Sequence, residues 1–223
     1  MKDLTLIIPA KKESESLPLV LKELKKFDLK IKVVLSSDDL STIESIQNFN
    51  IDLVYQKNKG YGDALITGIN SLQDGLFCIF NADGSFNPEE LKEMYKSLKS
   101  NNYDFIFASR YERFAGSDDD TFLTKLGNLI FTTFGKIIFR LKISDILYTF
   151  VIGDVKQFKK LNIQSLDFGF CVELPIMAKK NNMALSTYPS YERKRIAGIK
   201  KVNEFKDGLK ILFYMIKSFF RII

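Results

Sequence analysis

Residues 80–89 read FNADGSFNPE, and this stretch decides how the chain around it is expected to fold. It closes the apolar run Leu76–Phe80, which is typical of a buried strand. Asp83 and Gly84 follow as a polar turn, and the proline and two glutamates at 88–90 are typical of a helix start. A carboxylate at the carboxyl end of a parallel strand lies where α/β proteins bind ligands. An Asp-Gly turn is otherwise an ordinary loop, so a ligand site at Asp83 depends on the surrounding sequence.

Apolar runs alternate with helical patterns on both sides of this turn. Strands are predicted at 4–9, 31–35, 52–55, 76–80 and 104–109, and helices at 17–27, 40–48, 62–72 and 88–100. Strands that alternate with helices in this way form right-handed βαβ units. The predicted fold class is therefore α/β, with a mostly parallel sheet flanked by helices.

The alternation changes after Arg110. A long helix is predicted at 121–142, followed by a strand at 148–153, a helix at 171–181, a strand at 186–191 and a last helix at 207–223. The 223 residues carry no repeat or linker, so we expect a single domain.

The composition excludes several kinds of catalytic site and favours some partners over others. The chain has no histidine, which excludes Ser-His-Asp hydrolysis, histidine-bound zinc and histidine base catalysis. The formal net charge of +6 favours polyanionic partners, or else reflects a general bias towards lysine. No helix-turn-helix or zinc-knuckle signature is present, so nucleic acid is not an expected partner. Cys78 and Cys171 lie in apolar stretches and are predicted to be core residues in a reducing compartment.

Five further segments carry a resemblance to a known family. They are IIPAKKESESL at 7–17, NKGYGDALITG at 58–68, ASRY at 108–111, SDILYTF at 144–150 and PSYERKRIAGIKKVNEFKDG at 189–208. In this order they resemble the family 2 glycosyltransferases, and among these the bacterial polyprenyl-phosphate and dolichyl-phosphate sugar synthases. The resemblance implies one GT-A domain over residues 1–223. Its parts are a nucleotide-sugar-binding half at 1–110, an acceptor half at 111–206 and a C-terminal amphipathic helix at 207–223.

The resemblance identifies residues 81–83 with the family's Asp-x-Asp motif, which holds a divalent metal against the diphosphate of the donor. Mg²⁺ or Mn²⁺ is the implied cofactor, because a cation neutralises the charge that grows on the leaving diphosphate. Asp83 is the predicted metal ligand. Asn81 stands where the motif has its first aspartate, and its amide oxygen is a second, neutral ligand. The alternative is that Asn81 marks a degenerate, inactive member.

Four segments are implied to bind a UDP- or GDP-sugar. Glycines at Gly60 and Gly62 would let backbone approach a diphosphate, and the helix that follows favours negative charge at its start. After the second strand the family commonly has Asp-Asp-Gly-Ser. Here Ser37 or Asp38 serves the base or ribose, or the loop is merely solvated. The predicted donor-binding set is Pro9, Ala10, Glu13, Ser37, Asp38, Asn58, Gly60, Gly62, Ala82 and Asp83.

Charged residues downstream complete the predicted site. The cationic loop that contains Arg193 is expected to close over phosphates, or else to be a solvated loop. Glu173 lies in an apolar segment and is therefore either paired or functional. The predicted catalytic set is Asp83, Asp145, Glu173, Arg193 and Arg195, and the predicted acceptor or phosphate contacts are Arg110, Lys125, Arg193, Arg195 and Lys200.

The last predicted helix, DGLKILFYMIKSFFRII at 207–223, is broadly apolar with one stripe formed by Lys210, Tyr214, Lys217 and Arg221. It is too short and too charged to span a bilayer and suits the headgroup region instead. The alternatives are docking on the protein's own core or on a second subunit in a homo-oligomer. The helix at 121–142 has the same character. No signal peptide precedes the first strand, so the expected location is cytoplasmic, peripheral to the inner face of the plasma membrane.

The first functional hypothesis is an inverting, metal-dependent glycosyltransferase that moves a sugar onto a polyprenyl-type lipid phosphate. An anionic phosphate acceptor needs no general base. A glycan hydroxyl acceptor would need one, and Asp145 or Glu173 would supply it. A second hypothesis is a homologue that binds the nucleotide-sugar with little or no turnover. A nucleotidyltransferase of related fold is a third, although residues 10–16 contain no glycine for its usual loop.

Overall fold

The computed structural model describes residues 1–197 and 204–220. Its strands are β1 (Leu4–Pro9), β2 (Lys30–Leu35), β3 (Asp52–Tyr55), β4 (Leu76–Ile79), β5 (Phe105–Ser109), β6 (Gly116–Ser117), β7 (Val151–Asp154), β8 (Leu185–Pro189) and β9 (Tyr191–Glu192). Its α-helices are α1 (Leu17–Leu24), α2 (Leu40–Ile46), α3 (Tyr61–Asn70), α4 (Leu91–Ser100), α5 (Phe122–Phe139), α6 (Val155–Lys160), α7 (Phe170–Lys180) and α8 (Glu204–Phe220). Short 3₁₀ turns at Lys25–Phe27 and Pro88–Glu90 extend α1 and precede α4.

Seven strands form one sheet in the order β3-β2-β1-β4-β7-β5-β8. Every pairing in it is parallel except those of β7, which runs antiparallel to both β4 and β5. The prediction of a mostly parallel sheet flanked by helices is therefore confirmed. At Gly153 in β7 an added Cβ would lie 2.3 Å from the ring of Phe105, so only glycine lets β7 pack this closely.

The core consists of two apolar layers, one on each face of the sheet. Ile7 contributes to the layer beneath α3, α6 and α7, whereas Leu6 and Ile8 contribute to the layer beneath α1 and α4. Strands covered on both faces read as continuous apolar runs, which explains the sequences of β1 and β4. Each fully buried side chain of this size stabilises the fold by about 1.5–3 kcal/mol.

Several element boundaries differ from the prediction. The long helix predicted to reach Lys142 ends at Phe139, because Arg140 adopts a left-handed conformation (φ 54°). The strand expected at 186–191 is interrupted at Ser190, and the last helix begins at 204 rather than 207. Helix α6, which was not predicted, starts where the Asp154 carboxylate accepts a hydrogen bond from the backbone N–H of Gln157 at 2.9 Å.

A second, two-stranded sheet was also not predicted. Strand β6 pairs in parallel with β9, with Gly116 opposite Tyr191 and Ser117 opposite Glu192. Two-residue strands have no periodicity that a sequence could show. This pairing fixes the loop after β5 against the segment after β8, and both of these border the Asp83 turn.

Candidate active site

The Asp83 turn follows β4 at the carboxyl edge of the sheet. The Asp83 carboxylate accepts a hydrogen bond from the Ser85 backbone N–H at 3.0 Å. Gly84 has a φ of +81°, and an added Cβ would lie 2.4 Å from the side chain of Ile196. Both facts require glycine at this position. The Asn81 amide donates to the Ser85 hydroxyl at 3.2 Å, which fixes the side chain beside the turn.

The neighbouring strand ends carry the predicted donor-binding residues to the same edge. Strands β2, β1 and β4 are adjacent and end side by side. Pro9 is the last residue of β1 and Ala10 follows it, while the pairs Ser37-Asp38 and Ala82-Asp83 come shortly after β2 and β4. The Ala10 backbone N–H donates to the Val34 carbonyl at 2.9 Å, while Ser37 and Asp38 are exposed. The Glu13 carboxylate is buried and accepts from the Ser16 hydroxyl at 2.6 Å.

Gly60 and Gly62 pack closely against the backbone at 165–166. An added Cβ on Gly60 would lie 2.0 Å from the carbonyl oxygen of Leu166, and one on Gly62 would lie 2.1 Å from that of Ser165. Contact with the backbone at 165–166 therefore requires glycine at both positions, and the diphosphate contact stays a prediction. Asn58 donates its backbone and side-chain N–H groups to Asp63 at 2.9 and 3.0 Å, which closes the turn.

The segment at 193–196 lies directly on the Asp83 turn. The backbone N–H of Ile196 donates to the Asp83 carbonyl at 2.8 Å, and that of Arg193 donates to the Ser85 carbonyl at 2.8 Å. The guanidinium of Arg193 donates twice to Glu23, at 2.7 and 3.0 Å, and once each to the Gly84 and Phe86 carbonyls. Arg193 thus anchors the segment to the turn rather than facing an open site.

Arg195 is the guanidinium that faces Asp83. Its Nε donates to Asp119 at 3.2 Å, its Nη2 pairs with the second Asp119 oxygen, and its Nη1 lies 4.0 Å from Asp83 Oδ2. The hydrogen bond to Asp119 raises the pKa of Arg195, so the cation persists at all ordinary pH. Asp119 lies outside the site residues that the sequence predicts. The acidic run at 118–120 was the available signal.

Arg110 is buried in a cluster of carboxylates. It donates to Asp145 at 2.7 and 3.1 Å and to Glu192 at 3.1 Å, and it lies 3.7 Å from Asp120. Burial alone would lower the pKa of Arg110, but Asp145 and Glu192 raise it well above its ordinary value. Burial also raises the pKa of Glu192. Arg110, the predicted acceptor contact, is therefore hydrogen-bonded to Asp145, the predicted base.

Glu173 is likewise fully engaged. It is 4% exposed, and its two carboxylate oxygens accept from the backbone N–H groups of Gln164 at 3.0 Å and Ser165 at 2.6 Å. These bonds hold the 164–165 turn that packs on Gly60 and Gly62. Of the other predicted acceptor contacts, Lys125 is exposed on α5 and Lys200 lies outside the described residues.

Helices α5 and α8 pack against each other and share an exposed apolar surface, called here the α5–α8 face. It consists of Phe122, Leu123, Leu126, Leu129, Ile130 and Ile137 from α5 and Leu209, Leu212, Phe213, Ile216 and Phe220 from α8. Helix α5 contains no acidic residue and has 22% of its residues buried; by length and composition alone it could cross a bilayer. The first residue of the face, Phe122, follows Asp119 by three positions in the sequence.

The sequence model described as glycosyl transferase family 2 matches residues 5–161. The chain belongs to this family. It is therefore a glycosyltransferase, and its sheet order and flanking helices are those of the GT-A fold.

Solved structures of similar fold agree with this assignment. One is glucosyl-3-phosphoglycerate synthase from Mycobacterium tuberculosis in complex with Mn²⁺, UDP and glucosyl-3-phosphoglycerate. It superposes with a TM-score of 0.75 at 12% identity, over 96% of this chain and 79% of that one. Another is mannosyl-3-phosphoglycerate synthase from Rubrobacter xylanophilus, with a TM-score of 0.69 at 14% identity over 98% and 72% of the two chains. At these sequence identities the similarity between this chain and the two solved structures is one of fold alone.

The residues at the glycosyltransferase's Asp83 turn suit a hard divalent cation. Asp83 offers a partly exposed carboxylate, and Asn81 offers an amide oxygen, since its nitrogen is the atom that bonds Ser85. Within residues 1–197 and 204–220 no group of three or more acidic or cysteine side chains could hold a metal alone. One or two protein oxygens completed by substrate phosphates and water is a common arrangement for Mg²⁺.

Proposed function

We propose that this glycosyltransferase moves a sugar, with inversion, from a UDP- or GDP-sugar to a lipid-linked phosphate at the cytoplasmic surface of a membrane. The proposal joins three parts: a metal-dependent donor site at Asp83, an acceptor that is already anionic, and a membrane contact through the α5–α8 face. Each part is supported by a different set of residues.

The donor site is supported by the Asp83 turn and its position. Ligands bind at the carboxyl ends of strands in such sheets, and Asp83, Ala10 and Ser37 all lie at that edge. The glucosyl-3-phosphoglycerate synthase from M. tuberculosis, which has a similar fold, was crystallised with Mn²⁺ and UDP-glucose. Mg²⁺ or Mn²⁺ held by Asp83 and Asn81 would neutralise the leaving diphosphate. Arg195 Nη1 faces the same turn and is placed to donate a hydrogen bond to a phosphate oxygen.

The choice of acceptor is supported by the state of the two candidate bases. A hydroxyl acceptor requires a group to remove its proton. Asp145 is bonded through both oxygens to Arg110, and Glu173 through both oxygens to the backbone at 164–165. A phosphate oxygen carries its own negative charge and attacks the anomeric carbon without a base. The engagement of both predicted bases therefore supports a phosphate acceptor over a glycan hydroxyl.

The observation that carries the lipid part of the proposal is the α5–α8 face. All eleven residues of this face are exposed, and apolar side chains exposed together on two packed helices are typical of an interaction surface. The same two helices also carry exposed cations, of which Lys210 lies 3.5 Å from Asp167; the full set is Lys125, Lys136, Arg140 directly after α5, Lys206, Lys210 and Lys217. Apolar side chains and cations on the same helices suit an anionic bilayer surface, whereas pairing two copies through this face would bring like charges together. Because Phe122 follows Asp119, the partner of Arg195, by three positions, a lipid seated in the bilayer could present its phosphate to the Asp83 turn.

The proposal is tested by supplying acceptors that differ in one feature. Purified protein with Mn²⁺ and labelled UDP- or GDP-sugars would be given polyprenyl phosphate in anionic vesicles, the matching polyprenol without phosphate, an oligosaccharide, or phosphoglyceric acid. We expect label in the organic phase with polyprenyl phosphate and none with the polyprenol. Label confined to either soluble acceptor would reject the lipid route and leave a glycosyltransferase of soluble substrates. Donor binding with no transfer to any of the four would favour a binding homologue.

A further inference from the structure

We infer that Asp119 is a positioning residue, which holds the guanidinium of Arg195 at the edge of the Asp83 turn before the donor arrives. The inference rests on the proposed function, because that function places the donor diphosphate at Asp83. It concerns a residue outside every motif that carries the family resemblance.

The backbone of Arg195 is fixed independently of its side chain. Hydrogen bonds from Arg193 to Ser85 and from Ile196 to Asp83, both 2.8 Å, hold the segment on either side of it. The Ile196 side chain packs on Gly84 and completes this attachment. A long arginine side chain on such a segment can still point in many directions, so its orientation needs a separate cause.

Asp119 provides that cause. Its two carboxylate oxygens accept hydrogen bonds from Nε and Nη2 of Arg195. This bidentate arrangement sets the plane of the guanidinium. Asp119 is itself held by the β6–β9 pairing. Its backbone N–H donates to the Ser117 hydroxyl at 3.1 Å, and that of Asp118 donates to the Glu192 carbonyl at 2.9 Å. The same two-stranded sheet thus places both partners of the pair.

The remaining Nη1 group points at the site without a close bond to it. Its 4.0 Å separation from Asp83 Oδ2 exceeds hydrogen-bond distance, so Asp83 and Nη1 are neighbours and not a tight pair. Asp83 is then available to bind a cation, while Nη1 is available to a phosphate oxygen. Fixing the guanidinium in advance removes an ordering cost from donor binding.

A double-mutant cycle separates this role from a purely structural ion pair. Binding of UDP and of GDP, each with Mn²⁺, would be measured by calorimetry for the wild type, Asp119→Ala, Arg195→Gln and the double variant, with melting temperatures recorded for all. Asp118→Ala is the matched control, because the Asp118 carboxylate accepts from the exposed Tyr191 hydroxyl instead of from Arg195.

We expect Asp119→Ala to weaken binding of the better nucleotide about tenfold. When Arg195 is already glutamine, Asp119→Ala should weaken nucleotide binding by less than about a further twofold, because the guanidinium that Asp119 positions is absent. Asp119→Glu should recover part of the loss, and Asp118→Ala should bind like the wild type. Equal losses in both backgrounds, or an equal loss from Asp118→Ala, would overturn the inference and leave the proposed function standing. A wild type that binds neither nucleotide would overturn both.

Discussion

Single side chains at the Asp83 turn determine how firmly a metal can be held. One protein carboxylate and one amide oxygen face the proposed cation, where the family's motif has two carboxylates. Asn81→Asp would add the missing charge. At a partly exposed position the added attraction is worth roughly 1–1.5 kcal/mol, or about a tenfold change in affinity.

The Mn²⁺ concentration for half-maximal activity should therefore fall about tenfold in Asn81→Asp, and Asp83→Ala should abolish transfer without unfolding the protein. Asn87→Asp is the matched control, because Asn87 caps the turn at 88–90 and adds its charge away from Asp83. Metal titrations that coincide for the wild type and Asn81→Asp would contradict the placement of the cation.

At Arg110 the structure predicts a loss of stability rather than a loss of acceptor binding. Arg110→Met would leave the fully buried Asp145 carboxylate without its cation, and breaking a buried pair in this way costs about 3–5 kcal/mol. The free energy of unfolding, measured with denaturant, should fall by that amount. Arg113→Met changes an exposed arginine nearby and should cost little. A stable Arg110→Met protein with impaired acceptor use would support the original expectation from sequence.

Glu192 in the same cluster predicts a pH dependence. Burial raises its pKa in the folded protein above the ordinary 4.5, so the folded state binds this proton more tightly than the unfolded state does. This contribution to stability therefore grows as the pH falls from the raised pKa towards 4.5, and it is lost as the pH rises. Subtracting the unfolding free energies of Glu192→Gln from those of the wild type across this range should isolate the trend. A pH-independent difference would show that the pKa is not raised.

The proposed membrane contact through the α5–α8 face predicts membrane binding that depends on both apolar and charged residues. Phe122→Ser and Phe213→Ser should each reduce sedimentation with anionic vesicles several-fold, since each removes a large exposed apolar side chain. Leu40→Ser, at an exposed position on α2, is the matched control. Binding that is unchanged by the phenylalanine substitutions, or equal on neutral vesicles, would count against this face.

Across the whole molecule, the sequence predicted what depends on local pattern. The apolar runs of β1 and β4 and the turn at Asp83 were identified correctly, because burial on both faces of a sheet leaves a continuous signal. The sequence does not predict the pairing of Arg110 with Asp145, because the two residues lie 35 positions apart and neither residue type reveals its partner. The glycines at 60 and 62 indicate a close backbone approach, and the structure shows one at residues 165–166, a contact that no local pattern reveals.

The pairing of β6 with β9 also has a consequence for when the enzyme becomes competent. Residues 75 positions apart must meet before Asp119 and Arg195 can face each other. Ribosomes extend a chain at about 5–20 residues per second, so β1 to β4 emerge several seconds before the segment that completes the site. During synthesis the nascent protein therefore contains the Asp83 turn before the guanidinium of Arg195, and the proposed donor site is complete only after residue 195 has been made.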